Sequence, residues 1–393
     1  MMKRLVYICI AAIILSFCIL TGCSSDSPET APTVPGLYIE TSELPKKVTK
    51  YALSVFSGFD RTTFSQLGFT QEEIEDISLS PGIRMINAYT GEYYDNNYYF
   101  FIKSGGSFIG ILLISDTDGD YSFQIQRSRL AEGFNRLERS VSSYFIYRSE
   151  AGYFGKCDSS VYAISAARGD MQGTVTEIIK NLTNGVIPPP SDESTSVDML
   201  SSIAEFDASE NKESGNRSKL LKVPLCDNEN GTCWASCVAS TVVYRMKGED
   251  YGINETWVMR DKIVSNRTSV TGSSGGTIDT VCLYINLLLM GNYHKTTDKL
   301  SYREIETLID NSAPAVIQLS PNLPEGLHHA VILAGYSYNP KSSDSKMYFI
   351  MDPNYPFSYV GISYDSPYYP YEYFISQTDF YSWSITAVDK DII

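Results

Sequence analysis

Apolar and polar positions change period several times along this chain, and each change marks an element. Residues 44–59 and 70–77 carry apolar side chains at helical spacing, and Thr70 stands three before Glu73, as in a capping box. The runs 97–103, 108–114 and 121–126 are rich in β-branched and aromatic residues. They are joined by short turns at Ser104-Gly105-Gly106 and at Asp116-Thr117-Asp118-Gly119-Asp120, a pattern that predicts three successive strands. The second turn has some of the acidic spacing of a calcium loop, but Arg127 stands where that loop needs a bidentate Glu, so an acidic hairpin turn is expected. Helices are expected again at 130–144 and 171–182. From 184 to 217 the chain runs through Asn184-Gly185, Pro188-Pro189-Pro190, serines and acids, which reads as a linker open to proteolysis, with a short helical pattern near 197–206.

Beyond the linker the periods sharpen. Ala235, Val238, Ala239, Val242 and Met246 share one face of a helix that opens near Cys233 and stops at Gly248, a residue suited to a left-handed cap. Further helices are expected at 278–290 and from Ser301-Tyr302-Arg303-Glu304 to about 310. Apolar strands follow at 313–319, 328–336 and 347–351. The fold class expected is α+β, with an N-terminal domain at 37–183, a linker at 184–217 and a C-terminal domain at 218–393.

The first residues read as an address. Lys3 and Arg4 precede a 16-residue apolar run, short of the ~20 that span a bilayer, and Leu20-Thr21-Gly22-Cys23 ends it. Small residues before a Cys have the form of a bacterial lipoprotein signal: 1–22 removed, Cys23 lipidated, 23–36 a tether. The protein would then work outside the cytoplasmic membrane, held by lipid. Composition adds an exclusion. Over 393 residues the net charge is −15, and loss of Lys3 and Arg4 with the signal takes it to −17. Neither nucleic acid nor anionic lipid is a suitable partner for such a surface.

With Cys9, Cys18 and Cys23 assigned to the signal and its lipid, five cysteines remain, so at least one is a free thiol. Cys233 falls at the first turn of a helix, where orphan N–H groups and the positive dipole end favour a thiolate. His329 opens one strand and Asp352 ends the next. If the strands are antiparallel, Asp352 meets one ring nitrogen while the other faces Cys233: nucleophile, base and orienter. His328, one position out of phase, is expected on the opposite side, and His294 is expected at the surface. No metal or cofactor site is read.

These residues resemble the papain-like cysteine peptidases, staphopain and the papain-like type III effector peptidases in particular. Cys233-Trp234-Ala235 matches the family's helix start; His329, Ala330, Val331, Gly335 and Tyr336 match its His strand; Asp352-Pro353 falls where staphopain has Asn-Pro. The resemblance covers about 221–390. It implies a helical half against an antiparallel sheet half, a peptide or protein substrate, no cofactor, and catalysis by Cys233, His329 and Asp352. It also implies an oxyanion donor six before the nucleophile, a Gln in the family. Asp227 stands there, and a carboxylate repels an oxyanion; Asn228 or Asn230 are the neighbouring amides, beside the backbone N–H of Cys233. Such peptidases often carry an inhibitory N-terminal region, which makes 37–183 an inhibitor or a spacer. Two rivals stand beside hydrolysis: a degenerate surface lipoprotein that only captures peptides, and an acyltransferase that resolves the thioester with an amine.

Overall fold

The computed structural model describes residues 36–139, 142–149, 151–166, 172–190, 194–206, 216–228, 231–248, 253–321, 328–340, 345–354, 359–366, 369–370 and 380–393. The expected signal, Cys23 and nearly all of the tether lie outside them, as does Asn230. Gly36–Ile393 forms one compact unit. It is a mixed α+β structure built on two large, mostly antiparallel sheets.

The three expected strands form Asn97–Ser104, Ser107–Thr117 and Asp120–Arg127, joined by hairpins. Asp118 and Gly119 take φ of 55° and 95° at the acidic turn, the paired positive φ of a type I′ hairpin, and the Gly119 N–H caps the Asp116 carboxylate at 2.8 Å. Asp120–Arg127 then pairs antiparallel with Tyr359–Ser363, far along the chain, so one sheet, of thirteen strands among the described residues, runs through both halves. The seam is tight. A Cβ at Gly361 would lie 2.5 Å from Met347 Sδ and 3.1 Å from Ile125 Cγ2. Met347 and Phe349 bury themselves among Phe56, Phe64, Phe123 and Ile125, so one apolar core draws on both halves.

The segment read as a linker carries paired backbone. Ser194–Asp198 adds to Tyr38–Ser42 at the edge of the six-stranded sheet, Ala204–Glu205 adds to Ser78–Ile83, and Arg217–Leu220 adds to His329–Tyr338. A polar sequence satisfies its N–H and C=O groups on sheet edges as readily as in water, so composition alone did not reveal these pairings. The helical pattern near 197–206 is overridden in the same way. The expected helix at 130–144 stops at Arg129–Phe134, and Ser143–Ser149 is a strand in which alternate residues such as Tyr144 and Ile146 are fully buried. The expected helix at 70–77 is the four-residue Gln71–Ile74, its Thr70–Glu73 capping box intact.

In the C-terminal half, helices Cys233–Lys247, Ile253–Thr271 and Ile278–Leu289 pack beside the strands Ala315–Pro321, His329–Tyr338 and Met347–Met351. Ile253–Thr271 has no apolar stripe and escaped the periodicity reading. No helix of the described residues is long and apolar enough to cross a membrane.

Candidate active site

Cys233 is the first residue of its helix, and the N-cap Thr232 makes no side-chain cap bond to the first turn. The N–H groups there, with the positive dipole end, surround the thiol with partial positive charge. Every residue from Trp234 to Tyr244 is buried, so the helix is enclosed on all sides rather than along one stripe; Met246, expected on the core face, is 57% exposed where the last turn leaves the core. Gly248 closes the helix at φ 75° and ψ −153°, outside the left-handed helical region and in one that glycine alone takes readily. Trp234 donates its indole N–H to Ser274 O at 3.0 Å, and Gly276 lies flat against the ring, where a Cβ would come within 2.3 Å.

His329 arrives from the sheet. His329–Tyr338 is held between Ala315–Pro321 and Met347–Met351, both antiparallel, with Ile332 opposite Met351. This register puts the start of the His strand beside the end of its neighbour, where Asp352 follows. His329 Nε2 lies 2.8 Å from Asp352 Oδ1, and both side chains are sealed from solvent, at 1% and 0% exposure. With Nε2 taken, Nδ1 is the ring nitrogen left to the thiol.

The three groups titrate as a set. Burial pushes the Cys233 thiol up, but the hydrogen bonding and charge of His329 outweigh it and hold the thiol below its ordinary range. Burial also disfavours a charged His329, yet the charge and hydrogen bond of Asp352, helped by the thiol, carry the ring up to about 10. Opposite shifts of this kind favour a thiolate–imidazolium pair. The other free cysteines go the other way. Burial raises Cys226 and Cys282 to about 11 and Cys237, one turn beyond the nucleophile, well above an ordinary thiol; Cys157 is raised too.

The residues before Cys233 are engaged elsewhere. The Asp227 carboxylate accepts the Trp257 indole N–H at 2.9 Å and an Arg260 Nη1–H at 3.2 Å, both from Ile253–Thr271. Its carbonyl accepts from Ser236 Oγ and Arg260 Nη1, each at 2.9 Å. Asn228 gives its backbone N–H to Pro353 O at 2.7 Å and one amide N–H to Asn354 Oδ1 at 2.8 Å. His328 is exposed and shares a hydrogen bond with Ser320 Oγ at 3.0 Å. His294 lies in the strand Tyr293–Thr296 opposite Val388, half-buried rather than at the surface.

Sequence reasoning missed Trp257, Arg260 and Ser236. Their only sequence signal is an Arg and a Trp three apart, which says nothing about a partner 30 residues upstream. No family model matches this chain, and no curated protein matches it.

Proposed function

We propose that this chain is a papain-like cysteine peptidase, lipid-anchored through Cys23 outside the bacterial cytoplasmic membrane. One observation carries the catalytic part: a thiol at a helix start, lowered by a buried imidazole that a buried carboxylate holds at 2.8 Å. A nucleophile helix against an antiparallel sheet bearing the base supports the papain-like reading. The anchor rests on the sequence of 1–23 alone.

The Cys233 thiolate attacks a peptide carbonyl carbon, forming the C–S bond and pushing the π electrons onto oxygen. The backbone N–H of Cys233 stabilises that oxyanion, and the second amide N–H of Asn228 is the side-chain donor proposed beside it. The C–N bond breaks as His329 Nδ1–H protonates the leaving amine, leaving a thioester and a neutral ring. Water then attacks the thioester, giving its proton to His329; the C–S bond breaks, releasing a carboxylic acid and restoring the pair. Asp352 holds the ring in place and stabilises the imidazolium.

A second reading is favoured by one observation. Asp227 stands where the family has its oxyanion Gln, and its carboxylate is bound to Trp257 and Arg260. A site short of one such donor loses about 2.7–4 kcal/mol in the transition state; this site would then bind peptides and turn them over slowly.

The test uses the full mature chain and its Cys233→Ala variant on a mixed peptide library, beside labelling with an epoxide thiol inhibitor. Cleavage by the parent alone, with the label on Cys233, supports the peptidase. Labelling without cleavage supports the binding reading, and labelling of another cysteine in active material sinks both.

A further inference from the structure

Asp352 does not hold its orientation unaided. The same Oδ1 that meets His329 also accepts the Asn354 backbone N–H at 2.8 Å. Two donors converging on one oxygen fix the carboxylate rotamer, and so fix the ring that it orients. Pro353 has no N–H, so Asn354 is the first residue after Asp352 able to make this bond.

The turn that carries Asn354 is fastened across the site. Asn228, five residues before the nucleophile, binds it twice: backbone N–H to Pro353 O at 2.7 Å and Nδ2–H to Asn354 Oδ1 at 2.8 Å. Its neighbour Asp227 is tied through its carbonyl to Ser236 Oγ, one turn into the nucleophile helix. The bonds therefore run without a gap from the nucleophile helix through Asp227, Asn228, Asn354 and Asp352 to His329.

We propose that Asn228 and Asn354 form a clasp that keeps the Asp352–His329 pair in register with Cys233, Asn354 acting as a positioning residue rather than touching the reacting atoms. The inference rests on the peptidase reading of the site and goes beyond it. A neutral amide pair suits the task. A Lys or Arg at 228 would compete with His329 for Asp352, and an apolar pair would leave the turn free to shift.

The experiment follows alkylation of Cys233 by iodoacetamide against pH in the full mature chain, read by mass spectrometry of the peptide containing it. The variants are Asn354→Ala, Asn228→Ala and the pair together. If the clasp acts as a unit, each single variant moves the acid limb of the alkylation profile up by about one pH unit, and the double variant moves it no further. A melting curve on each variant separates this from loss of fold. If Asn354→Ala lowers the melt, Asn354→Gln replaces it, because it keeps the amide but displaces the carbonyl oxygen; the same direction of shift is expected. A profile unchanged by Asn354→Ala or Asn354→Gln, or shifts that add, overturns the clasp while leaving the peptidase reading intact. A parent in which Cys233 reacts no faster than Cys157 overturns both.

Discussion

His329 and Asp352 stand 23 residues apart in sequence and 2.8 Å apart in space, at adjoining ends of two antiparallel strands, with neither side chain open to solvent. A buried ionic pair of this kind makes the site dependent on both partners at once, since removing one leaves the other charge without compensation.

The first prediction is the pH profile. The proposed mechanism needs Cys233 deprotonated and His329 protonated, so kcat/KM should be bell-shaped. Its acid limb lies below the ordinary thiol range, and its alkaline limb follows His329 up to about 10. The same ring is linked to stability. Its folded pKa lies above the unfolded value, so its stabilising contribution is whole below about 6.5 and fades as pH rises through the folded value. A profile that rises with pH through the ordinary thiol range would contradict the ion pair.

Asp352→Asn should keep the fold and cost on the order of 10²–10⁴-fold in kcat, because the amide no longer stabilises the imidazolium and admits the wrong tautomer. His329→Ala should do worse to the protein itself by stranding a carboxylate that is 0% exposed, lowering stability by about 3–5 kcal/mol. Steady-state kinetics on the first and denaturant melts on the second measure these.

One equivalent of alkylating agent at neutral pH should mark Cys233 and spare Cys226, Cys237 and Cys282 until the protein unfolds, since burial holds those three thiols protonated. Peptide mapping before and after urea reads the order. Early labelling of Cys237 would mean that the nucleophile helix opens in the native state.

A chain cut to 218–393 should fail to stay monomeric. It would lay bare the edge of Tyr359–Ser363, which otherwise pairs with Asp120–Arg127, and the side chains of Met347 and Phe349, 2% and 0% exposed in the whole protein. In the full chain, Phe349→Ala should cost about 3–5 kcal/mol. Size-exclusion chromatography of the fragment decides. A stable monomer would return the N-terminal half to the role of a detachable inhibitor or spacer.

Much of the local structure was legible because it depends on residues a few positions apart. The three successive strands from Asn97 to Arg127, the acidic hairpin turn at Asp116–Asp120, the capping boxes at Thr70 and Ser301 and the Met347–Met351 strand are all short-range arrangements that side-chain chemistry dictates. Residues 130–144 and the pattern near 197–206 misled for the opposite reason: sheet partners far away overrode a weak helical preference.

For the site, the sequence by itself determined where the proposed catalytic residues sit along the chain: a Cys at a helix start, a His opening a strand, an Asp just after the next. Helix and strand ends follow from local periodicity and capping. Only the tertiary structure decided that the strands run antiparallel with the register that brings His329 to Asp352, that Asp227 turns to Trp257 and Arg260, and that Asn228 ties the loop before the nucleophile to the turn after the acid. Those are contacts between residues 23 to 126 positions apart. Which distant donor meets which acceptor is fixed by packing of the whole chain, and no local pattern encodes it.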